Sequence, residues 1–89
     1  MTLSADQIRA FKSKAHSLKP VVMIGQKGIT DALIAELNVA LDRHELLKIK
    51  MAADRDARKK MAVLLCDKTQ AELVSIIGQI AILYRPSEK

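Results

Sequence analysis

The sequence predicts an α/β domain, a two-layer sandwich in which helices pack on a mixed four-stranded sheet. Apolar residues recur with a helical period in three segments, and they alternate or run together in four shorter segments that are typical of strands. The segments follow one another in the order α-β-α-β-α-β-β. A strand–helix–strand unit implies a right-handed crossover between parallel strands, and the last two strands imply an antiparallel hairpin.

The first helix is predicted to begin after Ser4, which can form a Ser-x-x-Gln capping box with Gln7. Its apolar residues share one narrow stripe: Ile8, Phe11 and Ala15. Pro20 disfavours a helical residue before it, so the helix should end ahead of this position. The continuous apolar run at residues 21–24 then predicts a short buried strand.

A glycine-bracketed loop precedes the second helix. Gly25 and Gly28 mark a tight loop, after which Thr30 can cap the helix. The apolar face of this helix comprises Leu33, Ile34, Leu37, Ala40, Leu41 and His44. One face of the alternating strand that follows holds Leu47, Ile49 and Met51. Lys48 and Lys50 lie on its other face, which is predicted to be solvated.

The third helix and the final hairpin complete the predicted fold. Asp54 can cap the helix. The apolar stripe of the helix consists of Ala57, Met61, Leu64 and Leu65. Residues 73–77 and 80–84 read as two strands, joined at Gly78 and Gln79, where a glycine in the first position suits a type II′ turn.

Length and composition limit the classes of protein that this chain can belong to. Its 89 residues suffice for one domain, which we assign to residues 1–89. The lone cysteine, Cys66, excludes an intramolecular disulfide and a zinc site built from several thiolates. Neither a signal peptide nor a bilayer-spanning apolar run is present. We therefore expect a cytoplasmic protein without membrane association.

The charge distribution indicates an anionic partner. The formal net charge is +5, and residues 1–30 contain five basic residues and one acidic residue. A one-sided basic surface concentrates polyanions and speeds their encounter with the protein. Nucleic acid is one such partner, although many soluble proteins carry a similar charge.

The loop Gly25-Gln26-Lys27-Gly28 is the best candidate site. Glycines let the main chain approach a ligand closely, and the positive end of the following helix favours a phosphate. Lys27 adds a full charge, and Gln26 adds a neutral donor and acceptor. Gly-x-x-Gly loops of this type clamp nucleotide backbone in KH-like modules. Taken alone, the loop is equally compatible with a purely structural connector.

Enzyme-like sites are not indicated. The loop matches neither the phosphate-binding loop of nucleotide hydrolases nor the Gly-x-Gly-x-x-Gly dinucleotide fingerprint. Cys66, His16 and His44 do not form a nucleophile–base grouping in the sequence, and no metal-ligand spacing is present. We predict a protein that is not an enzyme, with no catalytic residues, metal, cofactor or small-molecule substrate.

Spaced motifs along the chain resemble the CRM domain, the chloroplast RNA splicing and ribosome maturation family, and above all its stand-alone bacterial YhbY-like members. The motifs occur in order at residues 18–25, 28–30, 44–50 and 83–86. The chain departs from the family pattern at Gln70, where many members have glycine after the third helix. This departure leaves the end of that helix open.

The resemblance implies a fold like the C-terminal domain of translation initiation factor three, and RNA binding through the Gly-x-x-Gly loop. It also implies association with precursors of the large ribosomal subunit, so the expected partner is large-subunit ribosomal RNA or a pre-ribosomal particle. We expect a monomer. The predicted RNA-binding residues are Gly25, Gln26, Lys27, Gly28, Lys12, Lys14, Lys19, Lys48 and Lys50.

Several residues retain two interpretations. Lys48 and Lys50 could extend the RNA track or only keep an exposed sheet soluble. The sequence does not reveal where the basic run at residues 55–60 lies relative to the glycine loop. Tyr84 could stack on a base, but a tyrosine ending an apolar strand more often packs its ring. The alternative function is a protein–protein adaptor that uses the basic surface to bind an acidic partner.

Overall fold

The fold consists of a four-stranded sheet with helices on both of its faces. In the computed structural model, which describes residues 3–25 and 27–86, the elements are α1 (Ala5–Ala15), β1 (Pro20–Ile24), α2 (Asp31–His44), β2 (Leu46–Met51), α3 (Arg55–Thr69), β3 (Glu72–Ile77) and β4 (Ile80–Tyr84). The strand order is β1-β2-β4-β3. β1 and β2 are parallel, and the other two pairs are antiparallel. The predicted α/β class, element order and mixed sheet are confirmed.

The three predicted helix caps are confirmed. Ser4 forms the complete capping box with Gln7. The Thr30 hydroxyl accepts a hydrogen bond from the backbone N–H of Leu33 at 3.1 Å, and the Asp54 carboxylate accepts one from the N–H of Ala57 at 2.8 Å. Each cap satisfies a backbone donor that the first helical turn leaves unpaired, so each helix begins where the sequence predicts.

The core has two parts, one on each face of the sheet. The larger part joins α2 and α3 to the sheet through residues such as Leu37, Leu41, Leu65, Ile49 and Leu83. The smaller part joins α1 to the opposite face, around Ala15, Val74 and Ile82. The predicted two-layer sandwich therefore gains a third layer, because α1 buries its stripe on the face that α2 and α3 leave open.

Two details of the predicted burial differ in the structure. β1 is an edge strand whose side chains alternate: Val22 is 6% exposed, whereas Val21 is 44% and Met23 is 64% exposed. A continuous apolar run cannot distinguish such an edge from a strand that is buried on both faces. In α3 the buried stripe is rotated, because Leu64 is exposed and Ala62 is buried beside Leu65.

The ends of α2 and α3 differ from, or explain, what the sequence pattern indicates at His44 and Gln70. The helical spacing predicts His44 on the apolar face of α2, but His44 is exposed in the last turn of that helix. Gln70 is the C-cap of α3 and has the left-handed backbone angle φ of 61°. This conformation favours glycine, so the observed angle explains why glycine suits this position and where α3 ends.

Candidate nucleic-acid interface

The glycine loop forms a closed turn at the end of β1. The backbone N–H of Gly28 donates to the carbonyl of Gly25 at 3.0 Å. Gly28 has φ of +70°, a left-handed angle that side chains rarely adopt, and a Cβ at either glycine would meet no atom within 4 Å. Lys27 is exposed, and Gln26 lies outside the described residues. The backbone of this turn is therefore open to a ligand from outside.

The start of α2 follows the loop after two residues. The N–H groups of the first helical turn point back toward the loop and create a partial positive charge. Thr30 takes up one of these donors, and Asp31 lies in the first turn. The carboxylate of Asp31 offsets part of the helix dipole. Among the described loop residues, Lys27 therefore carries the full positive charge that is available to an anion.

Three connections meet at the same end of the sheet, which we call the loop end: residues 25–30, residues 52–54 and the turn at residues 78–79. β2 runs parallel to β1, so both strands finish there. The N–H of Ala52 donates to the carbonyl of Ile24 at 3.2 Å, and the N–H of Met51 donates to the carbonyl of Gln79 at 2.7 Å. These hydrogen bonds hold the glycine loop in a set position relative to the other two connections.

A second group of predicted residues lies on the face of the sheet that carries α1. A cavity of about 140 Å³ there is lined by Lys12, His16, Lys48, Ile77, Ile80 and Ile82. The Lys48 ammonium donates to the His16 carbonyl at 3.5 Å. Lys50 is paired with Met23 on one side and with Ile80 on the other. We call Lys12, Lys48 and Lys50 the basic strip, since they share this face.

Exposed apolar side chains border the basic strip. Met23, Lys50, Ile80 and Ile77 are register partners in one row across the four strands. Met23 and Ile77 are 64% and 53% exposed, which is unusual for strand residues of their size. The row places apolar contact surface beside positive charge. The sequence pattern missed this feature, because it places Met23 in a buried strand and assigns Ile77 to a strand without indicating which face is exposed.

Lys14 and Lys19 are placed differently from the other predicted residues. Lys14 is exposed in the last turn of α1. Lys19 precedes the first residue of β1, whereas the glycine loop follows the last residue. Gly25 lies six residues after Lys19 along an extended strand, which corresponds to roughly 20 Å at 3.3 Å per residue. The structure therefore does not bring Lys19 to the glycine loop, although the two are near neighbours in sequence.

The basic run at residues 55–60 begins at the loop end, a position that the sequence left open. Arg55 is the first residue of α3. The Arg58 guanidinium donates through Nη1 to the carbonyl of Ala53 at 3.1 Å. Arg55, Arg58 and Lys59 line one cavity together with residues of the β3–β4 hairpin. The first half of the run is thus oriented toward the same end of the molecule as the glycine loop.

The motif at residues 83–86 has a structural role in this fold. The ring of Tyr84 stacks on that of Phe11, with centroids 4.3 Å apart and an interplanar angle of 23°. Arg85 donates to the side chain and carbonyl of Asn38, to the carbonyl of Thr69 and to the carboxylate of Asp42. Tyr84 is therefore a packing residue that joins α1 to the sheet, and Arg85 joins the end of β4 to α2 and α3.

The remaining chemistry-bearing groups are few. Burial, and after it the Glu72 carboxylate, raises the pKa of the Cys66 thiol to about 11, which disfavours the reactive thiolate. Within residues 3–25 and 27–86, no three His, Cys, Asp or Glu side chains are grouped as metal ligands. In the same residues no helix has the length and apolar character needed to cross a bilayer.

The model of the CRS1 / YhbY (CRM) domain family matches residues 3–85. The chain is 42% identical to a Pseudomonas aeruginosa protein named a probable RNA-binding protein, in an alignment that covers 100% of this chain and 86% of that one. It is 45% identical to a Haemophilus influenzae RNA-binding protein, with 99% and 90% covered. The solution structure of a hypothetical Staphylococcus aureus protein, suggested to bind RNA, superimposes with a TM-score of 0.87 at 32% identity, covering 99% and 93%.

The fold and the site together define a small α/β domain with a mixed sheet. Its glycine loop lies at one end of the sheet, and its basic strip lies on one face. The match extends from before the first helix to Arg85, beyond the last strand. The chain belongs to the CRS1 / YhbY (CRM) domain family, and it spans most of the length of the relatives that it matches.

Proposed function

We propose that this protein binds RNA and assists assembly of the large ribosomal subunit by holding ribosomal RNA through its glycine loop. In this proposal it is a cytoplasmic monomer that acts by binding rather than by catalysis, and it takes no small-molecule substrate. The relatives named as RNA-binding proteins support the choice of RNA as the partner. The link to large-subunit precursors rests on the resemblance between the spaced motifs and the CRM family.

The observation that carries the proposal is the open turn between β1 and α2. Gly25 and Gly28 expose main chain with free space on the ligand side, Lys27 stands between them, and the start of α2 lies two residues beyond. A phosphate placed at this turn would gain backbone donors together with a full charge. Sequence preference should be modest, because contacts of this kind do not read base edges.

The basic strip supplies the second part of the proposed interface. Lys12, Lys48 and Lys50 would contact further phosphates, while the exposed side chains of Met23 and Ile77 would cover ribose or base surface. Lys14 and Lys19 would make weaker contacts, which only a longer or folded RNA could reach. Gln26 remains a predicted contact of the loop.

Two loop variants test the proposal on the purified protein. Gly25→Ala adds a methyl group where nothing lies within 4 Å, and Gly25 lacks a left-handed backbone angle, so the fold should tolerate it. Lys27→Gln removes one exposed charge. We expect each variant to weaken binding of a structured ribosomal RNA fragment, and Lys27→Gln to reduce the salt slope of log K by roughly 0.7–0.9.

The matched control is Lys68→Gln, which removes one charge from the last turn of α3, far along that helix from its start at the loop end. Fluorescence anisotropy at several salt concentrations measures affinity and slope together. Equal behaviour of Lys27→Gln and Lys68→Gln would show that the glycine loop makes no phosphate contact.

A cellular experiment addresses the ribosomal part of the proposal. The tagged protein should crosslink to large-subunit ribosomal RNA and should sediment with large-subunit precursors, and the Gly25→Ala variant should lose both signals. Crosslinks spread over unrelated RNAs would contradict the ribosomal assignment while leaving RNA binding intact.

A protein–protein adaptor is the alternative function, and one surface favours it. Lys59, Lys60, Val63, Leu64 and Asp67 line an apolar groove of about 570 Å³ on the outer side of α3. Its two lysines suit an acidic partner. Purification with and without nuclease separates the two functions, because partners retained after digestion would favour the adaptor and loss of ribosomal components would favour RNA binding.

A further inference from the structure

A cationic cavity lies between the first turns of α3 and the turn that joins β3 to β4. It has a volume of about 390 Å³ and is lined by Arg55, Arg58, Lys59, Ile76 and Gly78. We call it the arginine pocket. Its apolar wall, Ile76, packs against the core cluster that α2 and α3 share, so the pocket opens on the α3 side of the sheet and not on the side of the basic strip.

Within residues 3–25 and 27–86, no carboxylate forms an ion pair with the positive charges of the arginine pocket. Arg55 and Lys59 are exposed, and within the described part of the chain neither has a hydrogen-bond or ion-pair partner. Arg58 is held in place by its bond to Ala53, while its Nε is buried and without a partner. The carboxylates of Asp54 and Asp56 are nearby in sequence but do not line the cavity, and Asp54 is used as the helix cap.

This arrangement suits an oxyanion. Guanidinium groups present several donors in a rigid plane that matches phosphate oxygens, and Lys59 adds a flexible point charge. Gly78 forms part of the wall, has φ of +59°, and would place no Cβ near another atom. The main chain of the turn is therefore accessible from the cavity.

We propose that the arginine pocket is a second phosphate site, which binds the backbone of the same RNA that the glycine loop holds. This inference rests on the proposed function and adds a phosphate contact on the α3 side of the sheet to the glycine loop and the basic strip. The strand order places β1 and β3 at opposite edges of the sheet. Three strand spacings of about 4.8 Å separate the glycine loop from the hairpin turn by roughly 14 Å.

That separation fits a continuous nucleic-acid backbone. A Gly-x-x-Gly loop clamps about four nucleotides, so a phosphate some 14 Å away lies within reach of the next few nucleotides. The hydrogen bonds from Ala52 to Ile24 and from Met51 to Gln79 fix the spacing between the two sites. A preorganised spacing lowers the ordering cost of a two-point contact.

The test removes the two exposed charges of the pocket and leaves Arg58, which the fold uses, in place. The double variant Arg55→Gln with Lys59→Gln is compared with Arg43→Gln with Lys68→Gln, which removes the same charge from the last turns of α2 and α3. The probes are a single-stranded RNA of about a dozen nucleotides, measured by anisotropy over a salt series, and a tetranucleotide, measured by NMR titration.

We expect the pocket variant to bind the longer RNA about five- to tenfold more weakly than the control variant, with a salt slope smaller by roughly 0.7–1.4. The tetranucleotide, which fills only the glycine loop, should bind both variants equally. Circular dichroism verifies that both variants remain folded.

Three results would count against the inference, and they are distinguishable. If the pocket and control variants bind the longer RNA equally while Lys27→Gln weakens it, the glycine loop binds RNA and the arginine pocket does not. If the pocket variant weakens the tetranucleotide as well, the pocket is not a separate site. If the wild-type protein binds neither RNA, the proposed function and the inference both fail.

Discussion

Replacing Arg85 with alanine should destabilise the fold strongly. The guanidinium group makes four hydrogen bonds that connect β4 to α2 and to the end of α3: at 2.8 and 3.1 Å to Asn38, 2.8 Å to Thr69 and 2.8 Å to Asp42. Its side chain is 19% exposed, whereas that of Asp42 is 73% exposed. The contacts to Asn38 and Thr69 are therefore shielded from water, and the ion pair is not.

The magnitude follows from this difference in exposure. Removing a shielded cation leaves its acceptors without partners and costs about 3 kcal/mol, at the lower end of the range for broken buried pairs because some acceptors regain water. The exposed ion pair to Asp42 contributes at most about 1 kcal/mol. A loss of about 3 kcal/mol is a large fraction of the 5–15 kcal/mol that is typical of folded domains.

Urea denaturation followed by circular dichroism measures the effect. With a slope of about 1.5 kcal/mol per molar urea, the midpoint of Arg85→Ala should fall by about 2 M. Asp42→Ala is the matched control and should lower the midpoint by well under 1 M, because it removes only the exposed arm. If Arg85→Ala cost no more than Asp42→Ala, the shielded contacts to Asn38 and Thr69 would not stabilise the fold.

Three further predictions concern backbone strain and the thiol. Gln70→Gly should raise the free energy of unfolding by about 0.5–1 kcal/mol, because the gain from removing the left-handed strain exceeds the larger backbone entropy cost of glycine. An unchanged melting temperature would contradict this prediction. Gly28→Ala should destabilise the fold by about 1 kcal/mol, whereas Gly25→Ala should leave its stability nearly unchanged, because of these two glycines only Gly28 has a left-handed angle. Equal melting temperatures of the two variants would show that the turn relaxes. Burial and Glu72 raise the pKa of Cys66 from 9.0 to about 11, so stability should fall as pH rises from 9 toward 11, where the unfolded chain loses the proton that the folded chain keeps. Alkylation of Cys66 at pH 8 should be slow in the native protein and fast in urea, and Cys66→Ala should make the fall in stability between pH 9 and 11 smaller.

The sequence alone determined the local features of this protein. Element order, the three caps, the buried face of β2 and the turn glycines all follow from interactions between residues close together in the chain, so periodicity and capping rules reach them. The glycine loop was recognisable for the same reason, because its turn and the helix start behind it span only a few residues.

Tertiary structure decided the features that depend on residues far apart in sequence. The position of α1 on the opposite face, the exposure of Met23 and Ile77, and the packing of Tyr84 on Phe11 all depend on which elements become neighbours in the folded sheet. The parallel pairing of β1 and β2 brought Arg55 to the loop end, although Lys19, at the opposite end of β1, is much closer to Gly25 in sequence. Periodicity and capping rules do not predict which elements become neighbours, because β1 and β2, and likewise β2 and β4, pair across connections of many residues.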